Sequence, residues 1–257
     1  MNKNFTYQNL ETILNNNKKI TEIKNKISEG NLIIIKNTIN KKTINRVKKY
    51  LISIARNSLP YYQKIEISAP NHHRIIRSDK RSHVTGSFHQ FSFFPWNQDV
   101  FNFFNIFKKG YHLKNLLSEN HKNKYLGNTP EDHIIARICF QFYPAGEGYL
   151  NMHSDPVGKH QITAPILIMS KKNKKNGDFK DGGSYVINNN KKKVYIEEFA
   201  DIGDIILYDA SMAHGVDLID PKSKNHWLDF KGRWMMLFAT NKLNNADHIK
   251  ESIDLEK

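Results

Sequence analysis

One cysteine, Cys139, in 257 residues excludes an intramolecular disulfide framework and fits a reducing compartment. It also argues against a closed structural zinc site, which takes four protein ligands and commonly several cysteines. No apolar run reaches the roughly 18 residues a membrane-spanning helix needs. The opening MNKNFTYQ lacks the apolar stretch of a signal peptide. Together these absences predict a cytoplasmic protein with no membrane partner. Acidic residues are scarce, 25 against 39 lysines and arginines, for a net charge of +14. Such an excess invites a nucleic-acid partner. The lysine clusters at 171–175 and 191–193, however, lie in expected loops without the interleaved aromatics on which single strands stack. The chain is rich in Asn, Lys and Ile throughout, so most of the charge reads as a solvated compositional bias and a nucleic-acid partner is not expected.

What the sequence does contain is a succession of short apolar segments with turn signals between them. Residues 137–143, RICFQFY, alternate strictly, with Ile138, Phe140 and Phe142 on one face and Arg137, Cys139, Gln141 and Tyr143 on the other. That is the period of a strand with one face in a core and the other in a polar cavity. PAGEG supplies a turn, and further strands are expected over 161–169, from Gly182, over 202–209, around His214 and from Gly232 to Ala239. Pro165 places its strand at an edge or a bulge. Many short strands of this kind indicate a sandwich or barrel.

Within that pattern lies His153-Ser-Asp155, with a second histidine at His214 and an arginine at Arg233. A strand repeats its side-chain direction every second residue, so His153 and Asp155 are expected on one side. The tripeptide alone is weak, since 12 histidines give chance matches and the same residues make an ordinary surface turn before Pro156. Its strand context gives it meaning. Two imidazoles and one carboxylate on one face of a metal suit non-haem Fe(II), leaving positions open for a co-substrate and oxygen.

The segments FYPAGEGYLNMHSDP, GDFKDGGSYVI, FADIGDIILYDASMAHGV and GRWMMLF occur in an order that resembles the 2-oxoglutarate/Fe(II)-dependent dioxygenases, in the style of their prolyl-hydroxylase-like branch. The resemblance covers a little under half the chain. It implies a mainly β fold: a double-stranded β-helix (jelly-roll or cupin-like) core over 134–241, with N-terminal helices packed outside. It further implies a single catalytic domain in which 1–133 is a helical support region and 242–257 a C-terminal tail. His153, Asp155 and His214 match the iron ligands, and Arg233 matches the partner of the distal carboxylate of 2-oxoglutarate. A guanidinium suits that role because its planar fork takes a carboxylate through charge-assisted hydrogen bonds. Tyr143 matches a tyrosine that bonds the same co-substrate, and Gln141 shares its strand face. The implied reaction uses Fe(II), 2-oxoglutarate and O2, releases succinate and carbon dioxide, and oxidises a second substrate. Asp155 favours hydroxylation or desaturation over halogenation, because halogenating members lack that carboxylate. The branch that repairs alkylated bases carries a second arginine six positions after the first, where this chain has Ala239.

The first half carries helical spacing over 7–27 and 41–57, with Thr43 or Asn40 available as a cap, and a short strand over 31–36. The donors His72, His73, Arg74, Arg77, Arg81 and His83 read either as a basic loop or as contacts to an anionic substrate. The aromatic stretch 83–96 reads either as core or as a wall before the metal, and 101–107 as a helix. His89, Phe91 and Arg77 are thus expected to touch the substrate, a small polar or anionic metabolite such as a sugar acid, an amino acid or another biosynthetic intermediate. Two alternatives stay open at this point: a protein side-chain hydroxylase of prolyl type, and a cupin-like metal enzyme that does not use 2-oxoglutarate.

Overall fold

The computed structural model describes residues 3–57, 72–80, 82–224, 226–243 and 248–257; the expected substrate-side Arg81 lies outside them. The strands are β1 (Asn4–Tyr7), β2 (Leu32–Ile35), β3 (His72–Ile75), β4 (Gly86–Phe93) and β5 (Ile134–Pro144). They continue as β6 (Tyr149–Ser154), β7 (Ile166–Ile168), β8 (Gly183–Ile187) and β9 (Lys193–Tyr195). The last are β10 (Ile205–Leu207), β11 (His214–Asp217), β12 (Gly232–Lys242) and β13 (Ile253–Asp254). Helices α1 (Leu10–Leu14), α2 (Asn17–Ser28), α3 (Lys41–Asn57) and α4 (Phe103–Leu117) complete the set.

The strands form one strongly curled mixed sheet with the order β1-β2-β10-β7-β12-β5-β4-β6-β11-β8-β9, the jelly-roll arrangement expected of the core. β4 closes the curl by pairing with β5 along His89–Phe93 and with β6 through Gly86 and Ser87. Four strands of the N-terminal region and β13 of the C-terminal tail join this sheet, so its extent exceeds the 134–241 core read from sequence. Of these, β2 matches the short strand expected over 31–36, and β4 runs for eight residues.

Alternation along β5 divides the interior. Ile138, Phe140 and Phe142 pack outward against the helices with Phe107, Leu113, Met236 and Phe238, while Tyr143 faces an inner cluster with Phe88, Ile168, Ile206, Tyr208 and Met235. The helices cover the outer face by ordinary amphipathic spacing: Ile20, Ile23 and Ile27 on α2, and Ile44, Val47, Leu51 and Ala55 on α3. Asn40 is the residue that caps α3, its side chain accepting from the Thr43 amide at 2.8 Å. The expected helix over 101–107 begins at Phe103, because Asp99 accepts from the Phe103 and Phe104 amides at 2.7 and 2.9 Å and Asn102 is left-handed. Among the described residues no helix is long and apolar enough to cross a membrane.

Candidate metal and co-substrate site

His153 and His214 face each other across the β6–β11 ladder, their rings 4.1 Å apart between centroids. The ladder shifts between His214 and Val216, which pair with His153 and Leu150, so β6 carries one extra residue. A regular strand sends residues 150 and 153 to opposite faces. The bulge lets Leu150 pack on the inner cluster while His153 still turns into the site. Asp155 lies just past the end of β6, its amide donating to the Ala210 carbonyl at 2.9 Å. The expected continuous strand through Asp155 therefore ends one residue early, but the ligand atoms still converge, all within 4.8 Å of one another.

Backbone carbonyls behind the two rings fix which imidazole nitrogens point inward. His153 Nδ1 bonds the Asn151 carbonyl at 2.9 Å, and His214 Nδ1 bonds that of Met212 at 2.8 Å. A carbonyl only accepts, so each Nδ1 carries the hydrogen and each Nε2 presents its lone pair. Those Nε2 atoms lie 3.9 and 3.6 Å from the two Asp155 oxygens. Burial, and then the charge of His214, bring His153 down to about 4, so its ring is neutral at neutral pH. Burial alone would raise Asp155, but the adjacent His214, then His153 and the Ser252 hydroxyl, outweigh it and hold the carboxyl below its usual range. Two imidazole nitrogens and one carboxylate fit a divalent transition metal with an open face.

Arg233, fully buried, begins the neighbouring wall. Gly232, at φ 141°, has no Cβ to meet the Tyr143 carbonyl, and this lets β12 start directly against β5. Arg233 pairs in register with Tyr143 and holds its guanidinium carbon 5.5 Å from that ring. Its Nε donates to Glu197 and its Nη2 to Ser184 Oγ at 2.8 Å, while Nη1 is buried without a partner among the described residues. Ser184 in turn gives its hydroxyl and its amide to Glu197 at 2.9 and 3.0 Å. Gly183 makes the approach possible, since a Cβ there would lie 2.9 Å from Glu197 Oε2. The Tyr143 hydroxyl donates to Gln141 Oε1 at 2.7 Å. Tyr208 packs edge-on against His214 at 5.1 Å, and burial raises its hydroxyl well above the ordinary value, with charges of both Asp155 and Arg233 acting on it.

The structure thus brings together His153, Asp155 and His214, and beside them Arg233, Tyr143 and Gln141. It does not bring His89, Phe91 or Arg77 to them. His89 and Phe91 lie on the outer face of β4, stacked among His72, Phe142, Phe230 and Trp234. The inner residues of that strand are the even-numbered Phe88, Gln90 and Ser92. Arg77 is exposed beside an open groove lined by Tyr149, Asn151 and Asp217. Sequence reasoning missed Glu197, Ser184, Tyr208 and Ser252, the last donating to Asp155 Oδ1 at 2.6 Å. Only Ser184, directly after the glycine pair, carried a local signal.

No family model and no curated protein matches the chain. Solved structures do. An oxygenase from Shewanella oneidensis aligns at a TM-score of 0.53 and 12% identity, over 93% of this chain and 89% of that one. A Pseudomonas putida prolyl-4-hydroxylase aligns at 0.52 and 9%, over 85% and 96%. JOX2, solved with 2OG, Fe and JA, aligns at 0.55 and 10%, over 98% and 78%. At such identities the likeness is one of fold. The chain has the fold of the 2-oxoglutarate/Fe(II)-dependent oxygenases.

Proposed function

We propose that the protein is an Fe(II)- and 2-oxoglutarate-dependent oxygenase acting on a small polar or anionic metabolite, with 134–241 carrying the site and the flanking segments bracing it. The observation that carries this reading is the pairing of two features inside one barrel. One is the His153–Asp155–His214 donor set; the other is a buried Arg233 whose Nη1 has no partner among the described residues. An unpaired buried donor on a cation costs about 1–3 kcal/mol or more, which a carboxylate ligand would recover.

His153 Nε2, His214 Nε2 and an Asp155 oxygen would hold the metal on one face. Arg233 Nη1 would take the distal carboxylate of 2-oxoglutarate, with Tyr208 and Tyr143, the latter turning its hydroxyl from Gln141, beside it as neutral donors, since burial pushes both phenols up. Bound there, Fe(II) and 2-oxoglutarate supply oxygen activation coupled to decarboxylation, which yields succinate and carbon dioxide. The apolar residues Ile168, Ile206 and Met235 of the inner cluster exclude water around these groups.

The test is succinate release from 2-oxoglutarate by Fe(II)-loaded protein in air, without added second substrate. Slow release that is abolished by His214→Ala is expected. No release above that variant, from folded and iron-loaded protein, would contradict the reading.

A further inference from the structure

A groove of about 470 Å³ lies outside the barrel, on the reverse of the strands that carry His153 and His214. Strand pairing sets the faces. His214 and Val216 turn inward from β11, so Gly215 and Asp217 turn outward, and Tyr185, which pairs with Gly215, turns outward with them. On β6, Leu150 packs on the inner cluster, and its neighbours Tyr149 and Asn151 face the groove. The turn after β5 adds Glu147. The C-terminal segment adds Glu256, brought alongside β6 by the Leu255 amide, which donates to the Met152 carbonyl at 2.8 Å.

Tyr185 is the buried polar group aimed into this groove. The residue is only 2% exposed, yet its hydroxyl has no hydrogen-bond partner among the described residues. The hydroxyl reaches the groove floor because position 215 carries no side chain. A Cβ there would lie 2.7 Å from the Tyr185 oxygen and 2.9 Å from the Leu150 carbonyl oxygen.

The groove is acidic in a chain of net charge +14: Glu147, Asp217 and Glu256 line it against one cation, the exposed Arg77. Two of these carboxylates already hold cations of the protein itself. Arg74 reaches Glu147 at 3.2 Å. Lys193 reaches Asp217 at 2.6 Å and sets its ammonium 4.1 Å from the centre of the Tyr185 ring, while Tyr195 donates to the other Asp217 oxygen. Glu256 has no such cation among the described residues, and with the Tyr185 hydroxyl it forms the uncommitted part of the lining. Leu150, Val216 and the half-exposed Leu218 supply an apolar wall beside them. A full negative charge, a hydroxyl oxygen and an apolar wall match an ammonium group on an aliphatic chain. The volume is that of a small-molecule site rather than of a bare ion.

We infer that this groove is a ligand site for an aliphatic primary amine, separate from the metal and co-substrate site. Glu256 and the Tyr185 hydroxyl accept from the ammonium, and the methylenes lie against Leu150 and Leu218. Arg77 at the rim takes a carboxylate when the amine is an amino acid. Nothing in the seat requires iron or 2-oxoglutarate, so it stands or falls apart from the oxygenase reading.

The experiment is calorimetry on the full chain, with and without Fe(II), titrated separately with 1,5-diaminopentane and with free lysine. The variants are Tyr185→Phe, Glu256→Gln and Arg77→Gln, each checked by thermal unfolding. At least one amine is expected to bind wild type equally well with and without Fe(II). Tyr185→Phe, which keeps the ring and every charge, and Glu256→Gln are each expected to weaken binding by about tenfold. A loss of lysine affinity in Arg77→Gln identifies an amino acid as the ligand, and unchanged lysine affinity there identifies a simple amine. Three results would overturn the site: no binding of either amine at millimolar concentration, binding seen only with Fe(II), or wild-type affinity in both Tyr185→Phe and Glu256→Gln.

Discussion

Ser252 donates its hydroxyl to Asp155 Oδ1 at 2.6 Å, joining residues 97 positions apart. The contact is built by β13, which pairs with β6 at Ser154 and His153 and is pinned by Asp254 accepting from the Thr85 amide at 2.8 Å. The C-terminal segment is thus a strap over the metal triad, and Ser252 fixes the rotation of a ligand it does not replace. Ser252→Ala is expected to lower affinity for Fe(II), or for Co(II) as a probe, by about 10- to 100-fold, the usual cost of losing a hydrogen bond that orients a ligating carboxylate. Thermal stability should change little. Unchanged metal affinity in a direct titration would remove Ser252 from this role.

Glu197 is the corresponding support for Arg233. Both are buried, and Glu197 also ties Ser184 into the network. Removing one partner of such a pair leaves an uncompensated charge, so Glu197→Ala should cost about 3–5 kcal/mol in unfolding free energy and weaken 2-oxoglutarate binding. Glu197→Gln keeps an acceptor for Arg233 Nε and should retain most of the affinity. Equal 2-oxoglutarate dissociation constants for wild type and Glu197→Ala would show that Arg233 holds its position unaided.

Lys114 gives the protein a pH-dependent stability. Its amine is lowered to about 7 from an ordinary 10.5, mainly by burial and then by Arg137. Between those values the unfolded chain holds the proton and the folded one does not. The unfolded state therefore binds more protons, and stability from this group rises with pH across about 7 to 10. Lys114→Met should flatten that rise and be more stable than wild type at pH 7 by an amount on the order of a few kcal/mol. Denaturant unfolding at pH 7 and 9.5 checks the sign; a wild type that loses stability over this range relative to the variant would contradict it.

Gly110 tests the packing of α4 on β12. A Cβ at this position would fall 2.0 Å from the Phe238 ring. Gly110→Ala should therefore destabilise, by about 1–3 kcal/mol from overpacking, in spite of alanine's better helix propensity. A melting temperature raised by the substitution would show that the helix rides further from the sheet.

The parts of the site legible in sequence are those written in local periods and short motifs. β5 declared its two faces through alternation, and His153, Asp155, His214 and Arg233 each sat beside a turn signal that placed a strand end. Residues recruited from afar left no such trace. Glu197 comes from a single 3-10 turn, and Ser252 from within the segment 242–257 read as a plain tail. The aromatic stretch around β4 illustrates the opposite limit. Its strand was extended, but period two alone does not say which face turns inward, and the hydrophobic Phe91 and His89 went to the helix-covered side. The bulge in β6 is invisible for the same reason: only the pairing with His214 and Val216 reveals the extra residue.

The central claim, one metal and one 2-oxoglutarate held by His153, Asp155, His214 and Arg233, is tested most directly by an anaerobic titration. Fe(II)-loaded protein receives 2-oxoglutarate while the visible metal-to-ligand charge-transfer band is followed, with Arg233→Ala and His153→Ala alongside. Wild type should develop the band. Arg233→Ala should need much more 2-oxoglutarate, a loss of about 2–5 kcal/mol, and His153→Ala should give none. A wild-type protein that is folded and iron-loaded but shows no band, or an Arg233→Ala protein that titrates as wild type does, would contradict the assignment.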